Sequence, residues 1–331
     1  MSGKTLLDFG LARVAVTIQK IITMRKARAL QSLFLLSGLL VGLGASAQSG
    51  YLVNSDDVSA QNFDALHSVN LTSGRVVKVG EVRVGLNDAP FADVEGLAFS
   101  SNGTLYGIDD ATKTLVRIDI SSGRALPVNG AEGNTGLPRN INFDFGLGFD
   151  CNGVLYASSD SRRSLYRLDL TTGAATVVGA EGALGAPITA IAAKGANLYG
   201  IGSEGFENLY RIDTLSGRAT LIGALGANLH FSDGGLDFDA NGTLWGVADV
   251  SGATLNPVPS ILFRINERSG AAERVANTVS GAESLAIAAP VCNAPEGAPP
   301  IPAIPLLDVH SLGLLTALIA LIGIFGLRRK A

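Results

Sequence analysis

Leu115-Val116-Arg117-Ile118-Asp119-Ile120-Ser121-Ser122-Gly123 reads as one strand closed by one turn. Side chains alternate along the strand. Asp119 can accept hydrogen bonds from the backbone that follows it, and a glycine ends the turn. The phrase recurs as Leu66-His67-Ser68-Val69-Asn70 with Ser73-Gly74 and as Leu165-Tyr166-Arg167-Leu168-Asp169 with Thr172-Gly173. It returns as Leu209-Tyr210-Arg211-Ile212-Asp213 with Ser216-Gly217, and as Leu262-Phe263-Arg264-Ile265-Asn266 with Ser269-Gly270. Five copies of one strand-turn unit make the chain a repeat protein.

A second phrase stands upstream of the first. It is Leu97-Ala98-Phe99, Ser101-Asn102-Gly103, Leu105-Tyr106-Gly107, and it returns around Asn152-Gly153, Leu198-Tyr199-Gly200 and Asn241-Gly242. Asn-Gly between two short apolar runs is a strong hairpin signal. Downstream of each Ser/Thr-Gly turn comes one more strand, such as Ala175-Thr176-Val177-Val178. One unit is therefore four antiparallel strands, the content of a propeller blade. Leu105, Leu155, Leu198 and Leu244 mark four units at spacings of 50, 43 and 46 residues. The fifth is split: Ser284-Leu285-Ala286-Ile287 supplies its innermost strand, and Tyr51-Leu52-Val53, Leu66–Asn70 and Val76–Val79 supply the other three. Joining them closes the ring and leaves no open sheet edge. The reading is an all-β, five-bladed β-propeller over residues 48–291 with a split closing blade. An open sheet array or a pair of sandwiches is its rival.

Composition fits. The 41 glycines among 331 residues suit many tight turns, and 16 % charged residues is too few for a disordered chain. The net charge is −4, but nine of the 25 basic residues and only one of the 29 acidic ones lie in 1–47 and 328–331. The body is thus strongly acidic, which argues against nucleic acid as a partner. With three histidines, one of them in the tail, a three-histidine metal site in the body is excluded.

The ends read as addresses. Met24-Arg25-Lys26-Ala27-Arg28, an apolar stretch from Leu33 to Leu43 and Ala45-Ser46-Ala47 follow the order of a secretory signal peptide, so 1–47 is expected to be one, with its start at Met24. Residues 292–305 form a Pro-rich linker, and 311–327 are an uncharged apolar run long enough for a membrane helix. Ile304-Pro305-Leu306-Leu307, this helix and Arg328-Arg329-Lys330 resemble the IPTL-CTERM sorting tail of exported bacterial proteins. Leu306 stands where that family usually has threonine. The resemblance implies an exported chain at the envelope or cell surface, anchored through its C-terminal helix or released after processing by an exosortase-like protease. The repeats themselves resemble bacterial secreted propellers with Leu-Tyr-x-Ile-Asp-x-x-Thr-Gly units, a fold that does not fix a function.

Topology sorts the loops onto two faces. Tight turns between first and second strands, and between third and fourth, make a plain face. The other connections make a variable face, where 129–139 and 250–259 are the longest and binding is expected. Five residues beyond each second-strand leucine stand Asp57, Asp110, Asp160, Ser203 and Asp249, with Glu204 beside the serine. Just before the innermost strands lie Glu95, Asp144, Asp233 and Glu283. Carboxylates converging on an axis suit a hard cation such as Ca²⁺; equally, an aspartate at a strand end can simply cap a turn. No nucleophile pattern surrounds Ser203. Tyr106, Tyr156, Tyr199 and Trp245 recur once per blade and are expected in the inter-blade core. Cys151 and Cys292 both belong on the plain face. Export permits their pairing, but blades two and five are not ring neighbours, and the pairing stays open. Two functional classes remain: a non-enzymatic module binding a protein or carbohydrate through its acidic face, and a secreted glycosidase or lactonase using mouth carboxylates with Ca²⁺.

Overall fold

A computed structural model of the chain describes residues 48–54, 64–84, 91–226, 228–250 and 258–292. The expected signal segment, Asp57, most of the linker and the sorting tail, including Ile304, Pro305, Leu306, Leu307, Arg328, Arg329 and Lys330, lie outside the described residues. No helix among the described residues is long and apolar enough to cross a membrane.

The described strands form five antiparallel sheets. The closing blade holds β1 (Ser49–Asn54), β2 (Ala65–Asn70) and β3 (Val76–Glu81). Blade one holds β4 (Val94–Phe99), β5 (Leu105–Asp109), β6 (Thr114–Ile118) and β7 (Ala125–Pro127). Blade two holds β8 (Phe145–Phe149), β9 (Leu155–Ser159), β10 (Ser164–Leu168) and β11 (Ala175–Val178). Blade three holds β12 (Ile188–Lys194), β13 (Asn197–Gly202), β14 (Asn208–Ile212) and β15 (Ala219–Ala224). Blade four holds β16 (Asp233–Phe238), β17 (Leu244–Asp249), β18 (Pro259–Ile265) and β19 (Ala272–Ser280).

Burial falls from axis to rim. β5, β8 and β9 are buried at every residue because each is covered on both faces by neighbouring blades. In the third strands of blades one to four the arginine faces water, as Arg117, Arg167, Arg211 and Arg264 do, joined in blade four by Pro259 at the strand's start. Five apolar clusters fill five blade interfaces. Leu52, Val69 and Leu71 of the closing blade pack with Trp245, Val247 and Leu262 of blade four. Val53 and Leu66 pack with Val94, Leu105 and Val116 of blade one. The split blade is thus wedged from both sides, and the ring is closed. The recurring aromatics are inter-blade core as expected: Tyr106 meets Phe149, and Tyr199 meets Phe238, each edge-on at 5.4 and 5.6 Å between ring centres.

The innermost strand of the closing blade is less regular than the sequence suggests. It is two isolated bridges, Asn54 to Ala282 and Tyr51 to Ala286, rather than a ladder. Between them Ser284 turns its Oγ to accept the Val53 N–H at 3.0 Å, so a side chain replaces a ladder carbonyl.

The Ser/Thr-Gly turns do more than reverse the chain. Asp119, Asp169 and Asp213 accept N–H groups of the turn at 2.8–3.2 Å, and these bonds hold the exposed carboxyls below the usual range. The glycine that ends each turn lies against the preceding blade: Gly74 against Asn277, Gly123 against Gly80, Gly173 against Asn134, Gly217 against Val178 and Gly270 against Gly223. The repeat glycine is therefore a ring lock.

Candidate functional site

On the variable face, Asp93, Glu95 and Asp110 are brought together at the end of blade one. Their carboxylate oxygens lie within 4.8 Å of one another. β4 carries Glu95 inward, and its carboxylate accepts the Phe145 N–H of blade two at 2.5 Å. Asp110 follows β5 and accepts the Phe143 N–H at 3.3 Å. Each of these carboxylates thus reaches across to the next blade, and the acidic rim is partly an inter-blade strap.

Burial dominates the electrostatics. It pushes Asp93 up to about 7, with Asp110, Asp109 and Asp144 adding repulsion. Glu95 rises well above its usual range for the same reason, helped by Asp93, Asp110, Asp144 and Glu283. Asp160 is pushed up to about 9 by burial and by Asp144, with which it shares a hydrogen bond. Ser203 Oγ donates to Asp160 at 3.2 Å and opposes that rise. Asp233, paired in register with Asp249, also acts on Asp160. Asp249 is fully buried at the end of β17, and Ser260 Oγ lies 3.5 Å from it. Asp110, Asp160, Glu95, Asp144, Asp233 and Glu283 therefore belong to one interacting set.

The sequence reading missed two members. Asp93 precedes β4 and breaks no pattern. Lys113 is 1 % exposed, and its ammonium meets the Asp110 carboxylate at 2.7 Å over the Phe143 ring. A signal existed: Asp110-Ala111-Thr112-Lys113 repeats as Asp160-Ser161-Arg162-Arg163, and both basic residues take a positive φ. In blade two the cation sits over Phe206 instead. Burial raises the Asp110 carboxyl, and the hydrogen bond and charge of Lys113 oppose that rise, so Lys113 is the counter-ion to one carboxylate of a set that is otherwise acidic.

Other expectations change. The long loop 129–139 is pinned at its middle and stays exposed at both ends. Asn134 bonds both backbone groups of Leu115 at 2.8 and 2.9 Å, and the Thr135 carbonyl accepts the Ala175 N–H of blade two at 2.9 Å. Ser203 is fully buried and serves Asp160. His230 is exposed, 3.5 Å from Glu207, and stands apart from the acidic set.

At the opposite end of the axis the chain supplies a floor. After Ala286, residues 287–292 cross from the closing blade towards blades three and two. The half-buried Asp237 accepts the Ile287 N–H at 2.6 Å and the Ala288 N–H at 3.3 Å through its carboxylate. Val291 bridges Lys194 in blade three, and Cys292 is disulfide-bonded to Cys151 of blade two with Cα atoms 5.2 Å apart. The objection from ring order fails because the strap spans the axis instead of following the ring. Between strap and innermost strands about 10 Å³ remains, room for one water at most.

Residues 36–175 match a family described as a repeat of unknown function (DUF6923). No curated protein matches the chain. Among solved structures, the chain is similar to the hydrazine synthase of Kuenenia stuttgartiensis, at 15 % identity over 60 % of this chain and 52 % of that one, TM-score 0.36. It spans about half of that chain's length. It is also similar to virginiamycin B lyase from Staphylococcus aureus (17 % identity, 69 % and 73 % covered, TM-score 0.37). A gluconolactonase from Xanthomonas campestris is a third (14 % identity, 66 % and 74 % covered, TM-score 0.41).

Proposed function

We propose that this propeller is an exported binding module, held at the cell envelope by its C-terminal helix, which takes a protein or carbohydrate ligand through a Ca²⁺-class cation in the acidic mouth. The observation that carries the reading is the convergence of Asp93, Glu95 and Asp110. An ion with oxygen ligands at about 2.3–2.6 Å holds opposed ligands roughly 5 Å apart, and the 4.8 Å limit of this trio fits. Side chains whose ionised forms are disfavoured by burial first, and by repulsion from their neighbours second, gain most from a divalent ion. The Cys151–Cys292 bond suits an oxidising compartment. The resemblance of the tail to the IPTL-CTERM signal supports an exosortase-like protease as processing partner.

The hydrolytic reading is weaker. Glycosidase carboxyl pairs stand about 5–9.5 Å apart, with room for the reaction between them. Asp144 and Asp160 are in hydrogen-bond contact, and the blade-one trio is tighter than that range. What favours hydrolysis is Asp160 alone, a carboxyl kept protonated beside a second one.

Thermal melts with and without Ca²⁺ at two pH values test the proposal. Without the ion, Asp93 and Asp160 bind protons more tightly folded than unfolded. Their stabilisation is complete below about pH 4 and is lost as pH rises through about 7 and about 9. The protein should therefore melt several degrees higher at pH 5 than at pH 8. Ca²⁺ requires ionised ligands, so it should raise the pH 8 value most, by about 2.7 kcal/mol at a hundredfold excess over Kd. Asp93→Asn with Glu95→Gln should abolish the Ca²⁺ response while raising the melting temperature in its absence. No Ca²⁺ shift at either pH sinks the cation reading. Turnover of a glycan or lactone that is lost in Asp160→Asn would establish the hydrolytic one.

A further inference from the structure

The disulfide and the strap it ends on lie away from the acidic mouth and go beyond the reading above. We propose that Cys151–Cys292 is a redox-labile latch: a thiol reductant releases residues 287–292 and opens the plain-face end of the axial channel while the propeller stays closed.

Access is the first argument. Cys292 is exposed and Cys151 half-buried, so a thiolate can reach the bond, and exposed disulfides are the ones that exchange readily. Few other contacts hold the strap. Asp237 accepts two of its N–H groups, and the Gly195 N–H donates to the Val291 carbonyl at 2.9 Å. Pro290 has no N–H to give. Residues 287–291 are all partly exposed, and only Ile287 and Val291 pack, partly buried, against neighbouring cores, so the apolar burial that offsets the entropy of ordering the segment is incomplete. Burial also raises the Asp237 carboxyl to about 7, against the pull of the Ile287 and Ala288 N–H groups, so near neutral pH part of its population lacks the charge that strengthens those bonds.

Ring closure does not depend on the strap. The closing contacts end at Ala286, whose N–H and carbonyl pair with Tyr51 at 2.8 and 2.7 Å. Above the strap lie Leu97, Phe99, Leu147, Phe149, Ile191 and Leu236. Release would uncover an apolar opening at the end of the axis opposite the acidic mouth.

The exchange balances. A thiolate of the reductant attacks Sγ of Cys292, and the Cys151 thiolate leaves and takes a proton. A second thiol of the reductant resolves the mixed disulfide. The protein gains two electrons and two protons, and the reductant becomes a disulfide.

Hydrogen exchange on the full chain, read by mass spectrometry, tests this at 25 °C before and after about 1 mM dithiol. At short labelling times exchange at Gly195, Ile287 and Ala288 should speed up about tenfold or more, while Tyr51, Ala286 and the blade strands stay unexchanged on that timescale, although global unfolding is easier without the bond. Cys151→Ser/Cys292→Ser should show the open pattern without reductant. Unchanged exchange at Ile287 and Ala288 in that variant means that hydrogen bonds hold the strap, and overturns the latch. Exchange across the blades as fast as in the strap means that the bond holds the ring, and overturns it too. A native disulfide inert to the dithiol overturns its lability.

Discussion

Alanine at Gly74 lowers the melting temperature by about 10 °C, and alanine at Gly103 by about 3 °C, although both glycines end turns with φ near +70 to +82°. The left-handed conformation alone costs a side-chain-bearing residue about 1–2 kcal/mol. At Gly103 that is the whole effect, because a Cβ there meets nothing within 4 Å. At Gly74 the Cβ would overlap the Asn277 carbonyl of blade four, which is backbone and cannot rotate away. Moving one blade against another adds about 1–3 kcal/mol, and a domain of this size loses about 2–4 °C per kcal/mol. Gly123→Ala, 2.8–3.0 Å from the backbone of Gly80 and Glu81, should lie nearer Gly74 than Gly103. Calorimetry on the three variants decides. Equal losses at Gly74 and Gly103 would show that the glycines serve their turns only and lock nothing.

Removing the disulfide is the larger loss. Cys151 and Cys292 enclose 141 residues of sequence, and in the chain-entropy account such a loop constrains the unfolded chain by about 5 kcal/mol. Cys151→Ser/Cys292→Ser should therefore melt roughly 10–20 °C lower and remain folded at 25 °C. The native protein, denatured without reductant, should show no free thiol. Two free thiols, or a double variant as stable as the parent, would remove this bond from the stability of the ring.

The architecture was legible because its signals are local. Asn102-Gly103, Asn152-Gly153 and Asn241-Gly242 fix the inner hairpins, and each Asp/Asn to Ser/Thr-Gly turn fixes the outer ones. Counting these units gave the number of blades. Leu285 and Ala286 were also readable as the missing inner strand, although the pairing is two bridges only. What failed depends on the course of the chain in space. Residues 287–292 carry no periodicity, so nothing in them announces that they cross the axis. Asp110, Asp160 and Asp249 could be placed by repeat position, and the coordinates set them at the ends of their second strands. Lys113 was harder: a lysine on a turn reads as solvated, and only the facing of Phe143 and Phe145 makes it a buried counter-ion. Loop 129–139 looked available because its length stood out, yet Asn134 uses it to imitate a strand beside Leu115.

The hydrogen bond from the Val53 N–H to Ser284 joins residues 231 apart in sequence. In a chain that appears from its N-terminus, β1, β2 and β3 are made first and find their last partner only when almost the whole body exists. Until then the inner edge of that sheet is bare, a template for any other extended chain. Contacts of such separation form late and slowly. Blades one to four can assemble as they are made, and the first three strands must wait. Cys292 emerges just six residues after Ala286, so oxidation can seal the ring only after the slowest contact has formed. The covalent bond then ties the strap down over a closure that the chain reaches last.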